Sequence, residues 1–302
     1  MAASKRVLVT GATGKQGGAV TKSLLARGHR VRALCRNPTS PTAEALARRG
    51  VELVPGEIQG AALEGAMRDV DAAFALCTPF EGIREELRNG FALVDAARRA
   101  GLEHLVYSSA GSADRDTGIP TFESKRQIEE HLRESGVPYT IVGPAYFMEN
   151  LGEPFTRGHL RKGVLARWMP VECKLQYIAV EDIGAFVTHV FENRERFLGR
   201  RIDLAGDELD GAEAAAVFSR VLGREIQPVA LPLESFNVPG ELGASIAIML
   251  RWLGSTGFNA DINGLRREYP EVGWHTLEDW VRAQDWSDVT SPSAASAGAD
   301  SV

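Results

Sequence analysis

The chain has 302 residues, 44% of them apolar and 25% charged, with a net charge of −6. That length allows one large or two moderate domains, and the balance is that of an ordinary soluble globular protein. The acidic balance, without long runs of one sign, disfavours a broad nucleic-acid surface, and no apolar segment reaches the roughly 18 residues that a membrane span needs. Three cysteines, Cys35, Cys77 and Cys173, suit a reducing cytoplasm better than a disulfide framework. The N-terminus runs directly into a strand pattern, so no signal peptide is expected.

The first predicted element is a buried strand at 7–10. It runs into glycines at 11, 14 and 17, and a helical pattern follows over 16–27 with Val20, Leu24 and Leu25 on one side. Strand, glycine loop and helix in that order form a dinucleotide-binding fingerprint. Gly11 suits the tight turn, Gly14 lets backbone approach a pyrophosphate, and Gly17 allows close helix–strand packing. The first helical N–H groups then face the anion. Thr13, Lys15 and Gln16 lie in the same loop and are expected beside the phosphates.

Further strands are predicted at 30–35, 51–55, 72–76, 104–108 and 139–142, alternating with helices at 43–49, 61–67, 84–100 and 122–135. This alternation predicts parallel strands with right-handed helical crossovers, a doubly wound α/β sheet of Rossmann type. The second strand ends at Arg36, followed by Asn37 and Pro38. A carboxylate there would accept from a ribose 2′-hydroxyl and select NAD, whereas an arginine fork suits the 2′-phosphate of NADP. The expectation is therefore NADP(H), with Lys15 as a second positive charge. The alternative is that Arg36 is a solvated residue at a strand end. Glu57 follows the third strand and either reaches the adenine or is an exposed turn acid. Cys77 and Thr78 follow the fourth strand and are expected along the cofactor path, with Cys77 assigned to packing. Ser108 and Ser109 close the fifth strand, where one hydroxyl either bonds the substrate or ribose or caps the strand.

After about residue 150 the rhythm changes. A strand is predicted at 175–180, a helix at 181–191 and a strand at 201–204. Segments at 212–222, 226–230 and 234–253 follow, then a last helix at 276–284 capped by Thr276. The expected division is a nucleotide domain of 3–150 plus 176–207 and a smaller α+β domain of 151–175 plus 208–286. Residues 287–302 are expected to be a disordered tail, since their composition buries little.

Three motifs together carry a family resemblance. Thr10-Gly-Ala-Thr-Gly-Lys-Gln-Gly-Gly18, Arg36-Asn-Pro38 and Pro144-Ala-Tyr-Phe-Met-Glu-Asn-Leu151 resemble the NmrA-like family of atypical short-chain dehydrogenase/reductases, and Tyr177-Ile-Ala-Val-Glu-Asp-Ile-Gly184 resembles its return to the nucleotide domain. The likeness runs from residue 6 to about 286. It implies that Pro144, Tyr146 and Phe147 border the nicotinamide pocket, where Tyr146 and Phe147 either stack on a flat substrate or pack structurally. Some members of the family are NADPH-dependent reductases of quinones, dyes or aromatic double bonds. Others bind the cofactor as redox-sensing regulators, and fold alone does not choose between them.

Ordinary short-chain dehydrogenases use a Tyr-x-x-x-Lys pair. The corresponding segment is Thr121-Phe-Glu-Ser-Lys125, so the lysine is present and a threonine replaces the phenol. Lys125 lies on the apolar face of its helix with Phe122, Ile128 and Leu132. It either snorkels to solvent or has an anionic or hydroxyl partner, and the resemblance implies a ribose-binding role. Lys125, Ser109 and Tyr146 are the candidate catalytic residues. No metal-ligand spacing and no hydrolase elbow is present.

The resulting expectation is an NADPH-dependent reductase of a planar, aromatic or quinone-like molecule. The alternatives are a cofactor-sensing regulator that acts on a protein partner and a tailoring enzyme that keeps the cofactor structurally.

Overall fold

The computed structural model describes residues 4–290. In chain order the first half comprises β1 (Arg6–Thr10), α1 (Lys15–Ala26), β2 (Arg30–Cys35), α2 (Pro41–Arg48), β3 (Glu52–Pro55), α3 (Gly60–Met67), β4 (Ala72–Ala75), α4 (Ile83–Arg99), β5 (His104–Ser108), α5 (Pro120–Glu134) and β6 (Tyr139–Pro144). The chain continues through β7 (Tyr146–Phe147), α6 (Pro154–Arg161), β8 (Val164–Arg167), β9 (Leu175–Ile178), α7 (Val180–Glu192), α8 (Arg194–Phe197), β10 (Arg201–Leu204), β11 (Asp207–Leu209) and α9 (Gly211–Leu222). It ends with β12 (Gln227–Ala230), α10 (Gly240–Ser255), α11 (Ile262–Glu268), α12 (Leu277–Ala283) and α13 (Ser287–Thr290).

Seven strands form one parallel sheet in the order β3-β2-β1-β4-β5-β6-β10. Both faces are covered, which explains why its central strands read as unbroken apolar runs. Alternation along β1 sends Val7 and Val9 to one core and Leu8 to the other. The first core packs β1 against Val20 and Leu24 of α1 and Ile183, Phe186 and Val190 of α7. The second packs it against Leu63 of α3, Leu93 of α4 and Ile128 and Leu132 of α5. The strand order reverses between β1 and β4, and ligands bind at such a switch point beyond the carboxyl ends of the strands. The Thr10 hydroxyl holds that point closed, donating to the Leu76 carbonyl (2.8 Å) and accepting from the Leu76 N–H (2.7 Å).

The second half builds a separate apolar core around Met148, Leu160, Phe218, Trp280 and Trp286. A three-stranded sheet, β11-β9-β7, and a parallel pair, β8 with β12, frame it. Several expectations need revision here. The segment 176–207 does return α7 and β10 to the main sheet, but β9 pairs with β7 and β11 instead. The long stretch at 234–253 is a short 3₁₀ turn at Leu233–Ser235 followed by α10. The tail does not begin at 287. Residues 287–290 form one helical turn, with Val289 buried and Asp288 paired to Arg157 and Arg161 (2.6 Å to Arg161). The remainder of the expected tail lies outside the described residues. No helix among the described residues is long and apolar enough to cross a membrane.

Candidate functional site

The glycine loop opens the site. Gly11 has φ +67°, a left-handed conformation that glycine adopts without strain, and its carbonyl accepts from the Gly14 N–H at 2.9 Å. Gly17 serves a different need: a Cβ there would sit 2.3 Å from the Gly11 oxygen, so helix and loop pack backbone on backbone. Among the described residues no side chain caps the N-terminal N–H groups of α1, and its first turn carries no acid. Those groups and the helix dipole suit an anion.

A cleft of about 680 Å³ runs from this loop over the strand ends toward the second half of the chain. Gly11, Thr13, Gly14, Lys15, Gln16 and Arg36 line its near end. Cys77, Thr78, Ser109 and Lys125 line its middle, with Pro144, Tyr146 and Phe147 beyond them. A narrower extension of about 270 Å³ shares Gly11, Arg36 and Thr78 with the cleft and includes Glu57. The structure thus brings the sequence-predicted residues together, except that Gly17 lies behind the loop. The far end is apolar. Phe122 stacks on Phe258 with ring centroids 6.4 Å apart, and Met249 and Leu253 of α10 face the same space.

Lys125 has the anionic partner that the sequence left as one alternative, and its identity, Glu86, was not legible there. Its Nζ donates to Glu86 Oε1 at 2.9 Å and to the Cys77 carbonyl at 3.3 Å. Glu86, on α4, is fully buried and also accepts from the Ser124 hydroxyl at 2.5 Å. Burial works most strongly against the ammonium charge, but Glu86, Cys77 and Glu129 together outweigh it and hold Lys125 above the ordinary lysine pKa. Burial pushes the Cys77 thiol up to about 11, so it stays protonated near neutrality, in keeping with a packing role.

The hydroxyls of Ser109, an expected site residue, and of Thr121, at the position of the missing phenol, are committed elsewhere. Ser109 borders the cleft, but its hydroxyl donates to buried Glu129 at 2.5 Å rather than into the cleft. Glu129 is held in turn by Arg133 and Arg201. Thr121 does not line the cleft; its hydroxyl shares a buried hydrogen bond of 3.0 Å with Ser245 of α10. The Gln16 amide donates to Ser108 at 2.6 Å and pins the start of α1 to β5. Arg36 pairs with Glu81 on an exposed turn after β4, and Lys15 pairs with Glu153 at the start of α6. Burial raises the Tyr146 pKa, so this phenol is a weaker acid than usual, and its ring meets Tyr177 edge-on at 5.9 Å. Within the same motif, Glu149 is structural. Its Oε1 accepts from the Val180 N–H at the start of α7 (3.2 Å) and from the Trp280 indole (3.0 Å).

A glycine loop at the switch point of a doubly wound parallel sheet, opening on a two-walled cleft, defines a Rossmann-like nucleotide-cleft protein. The chain belongs to the NmrA-like family, which it matches over residues 3–281. It is 30% identical over 231 residues to an NAD(P)H azoreductase of Xenophilus azovorans, covering 76% of this chain and 78% of that protein. It is 32% identical over 225 residues to the (4-alkanoyl-5-oxo-2,5-dihydrofuran-3-yl)methyl phosphate reductase of Streptomyces griseus, covering 73% and 75% respectively. The fold matches that of NmrA, a negative transcriptional regulator solved in complex with NADP. The TM-score is 0.79 at 23% identity, with 94% of this chain and 99% of that one covered.

Proposed function

We propose that this protein is an NADPH-dependent reductase that delivers hydride to a planar, conjugated acceptor of aromatic or quinone type. The observation that carries the reading is the continuity of the cleft: one space joins the glycine loop and Arg36 to an aromatic end bordered by Phe122, Tyr146, Phe147 and Phe258. The uncapped start of α1 fits a pyrophosphate, and Arg36 fits a 2′-phosphate. When bound, NADPH supplies the hydride from its nicotinamide ring. Lys125, fixed by Glu86, holds a positive charge where the nicotinamide ribose would lie, and Tyr146 and Phe147 orient and dry the acceptor.

The side chains also favour an acceptor that needs no strong acid. Thr121 is tied to Ser245, while burial raises the Cys77 and Tyr146 pKa values. A reduced quinone-like product delocalises its charge and takes its proton from water. The azoreductase and furanone reductase relatives support the same class. A reducing compartment such as the cytoplasm suits the three free cysteines.

The test is to mix the protein with NADPH and a panel of quinones, azo dyes and enones and follow nicotinamide absorbance. Consumption well above the protein-free rate is expected. Tight NADPH binding without consumption across the panel would favour the second reading, a cofactor-sensing regulator, which the likeness to NmrA supports. Arg36→Ala is expected to weaken NADPH binding by roughly 10- to 100-fold, the worth of charge-assisted hydrogen bonds, and NADH binding hardly at all. Equal losses for both nucleotides, measured by titration, would remove the 2′-phosphate assignment.

A further inference from the structure

We propose that a side chamber of the cleft binds an oxyanion substituent of the acceptor, a carboxylate, sulfonate or phosphate, and that Arg167 recognises it. This rests on the reading that a planar acceptor lies beside Tyr146. The chamber has a volume of about 110 Å³ and shares Tyr146 and Asn150 with the main cleft, so it branches from the acceptor end. Its walls are largely apolar, including Phe155, Leu165, Trp168 and Leu250, and no acidic side chain among the described residues lines it.

Arg167 closes β8 and, among the described residues, is the one charged residue lining the chamber. Its Nη2 donates to the carbonyls of Pro170 (3.1 Å) and Cys173 (2.5 Å), which fixes the head group. Nε and Nη1 are buried, and no carboxylate or carbonyl among the described residues accepts from them. The Tyr177 phenol interacts with the guanidinium, but a phenol is neutral and supplies no counter-charge. A buried cation without an anionic acceptor is costly, and an incoming oxyanion would supply the counter-charge that the chamber lacks. Asn150 and Thr156, which also line the chamber, offer neutral donors beside it. The chemistry selects a ligand with a flat apolar body and one negatively charged end.

The test uses probes that cannot be reduced by hydride, so it does not depend on turnover. Binding of 2-naphthoate, naphthalene-2-sulfonate and neutral 2-naphthamide to the full chain, with saturating NADP⁺ present, is measured by calorimetry. At least one anion is expected to bind tenfold or more tightly than the amide. Arg167→Met should abolish that preference while the amide still binds, which also shows that the pocket is intact. Arg167→Lys, which keeps a charge should the methionine variant fail to fold, is expected to retain part of the preference. Equal binding of amide and anions to the unaltered protein, or a preference that survives Arg167→Met, would overturn the chamber assignment alone. Failure of all three probes to bind would overturn the acceptor site itself.

Discussion

Replacing Glu86 with glutamine is expected to destabilise the folded chain by about 2–3 kcal/mol near neutral pH. The substitution keeps the shape but leaves the Lys125 ammonium without its counter-charge, and breaking one side of a buried pair typically costs 3–5 kcal/mol. The lysine side chain is 13% exposed, which places the expectation at the lower end. The pH dependence identifies the cause. Lys125 has a folded pKa raised above the ordinary value of 10.5, because Glu86, helped by Cys77 and Glu129, outweighs burial. The stability it contributes is therefore fully present below that value and is lost as pH rises through the higher folded pKa. The gap between native protein and Glu86→Gln, measured by urea unfolding, should be constant through neutrality and close above pH 10.5. A gap that is absent, or that persists unchanged in strong alkali, would count against the pair.

The second large effect belongs to Gly17. In Gly17→Ala the new Cβ would lie 2.3 Å from the Gly11 oxygen, 2.5 Å from its carbonyl carbon and 2.9 Å from the Ala12 nitrogen. All three are backbone atoms, so no side chain can rotate away, and α1 must move off the end of β1. A stability loss of about 2–3 kcal/mol is expected from such overpacking, together with a fall in NADPH affinity of roughly 100-fold as the helix N-terminus leaves its position. Gly14→Ala provides the contrast. Its Cβ would be 3.4 Å from the Gly11 oxygen, an ordinary contact, so the fold should tolerate it while the methyl group obstructs the approaching phosphate. Melting temperatures and NADPH dissociation constants of the two variants, measured side by side, separate packing from binding. Native-like melting and affinity in Gly17→Ala would show that the close approach is not needed.

The near end of the cleft was legible because its signals are local. Strand, glycine spacing and helix lie within 21 residues of sequence, from Arg6 to Ala26, and Arg36 follows at a fixed distance. The residues that sequence reasoning missed depend on distant pairings. Glu86 sits in a charged stretch of α4 and reads as a surface acid until α5 folds over it. β8 is four residues long and meets β12 only after 59 intervening residues, so neither strand announces the other. Trp286 and the one-turn helix after it are held by Phe218 and Arg157, which the polar composition of the C-terminus does not reveal. The aromatic end of the cleft depends on α10 and Phe258, and no local pattern specifies where they dock.

The path of the chain between its two halves has a consequence for how they can move. After β6 the chain leaves the large sheet for β7 to β9, returns for α7 and β10, and leaves again at β11. No single cut in the polypeptide separates the two walls of the cleft. A fragment ending at residue 150 would lack Ile183, Phe186 and Val190, which cover one face of β1 and α1. The walls are therefore laced together by several crossings, with Glu149 tying one crossing to α7 and Trp280. Such lacing favours small breathing motions at the cleft rim over the wide swing of two bodies on one hinge.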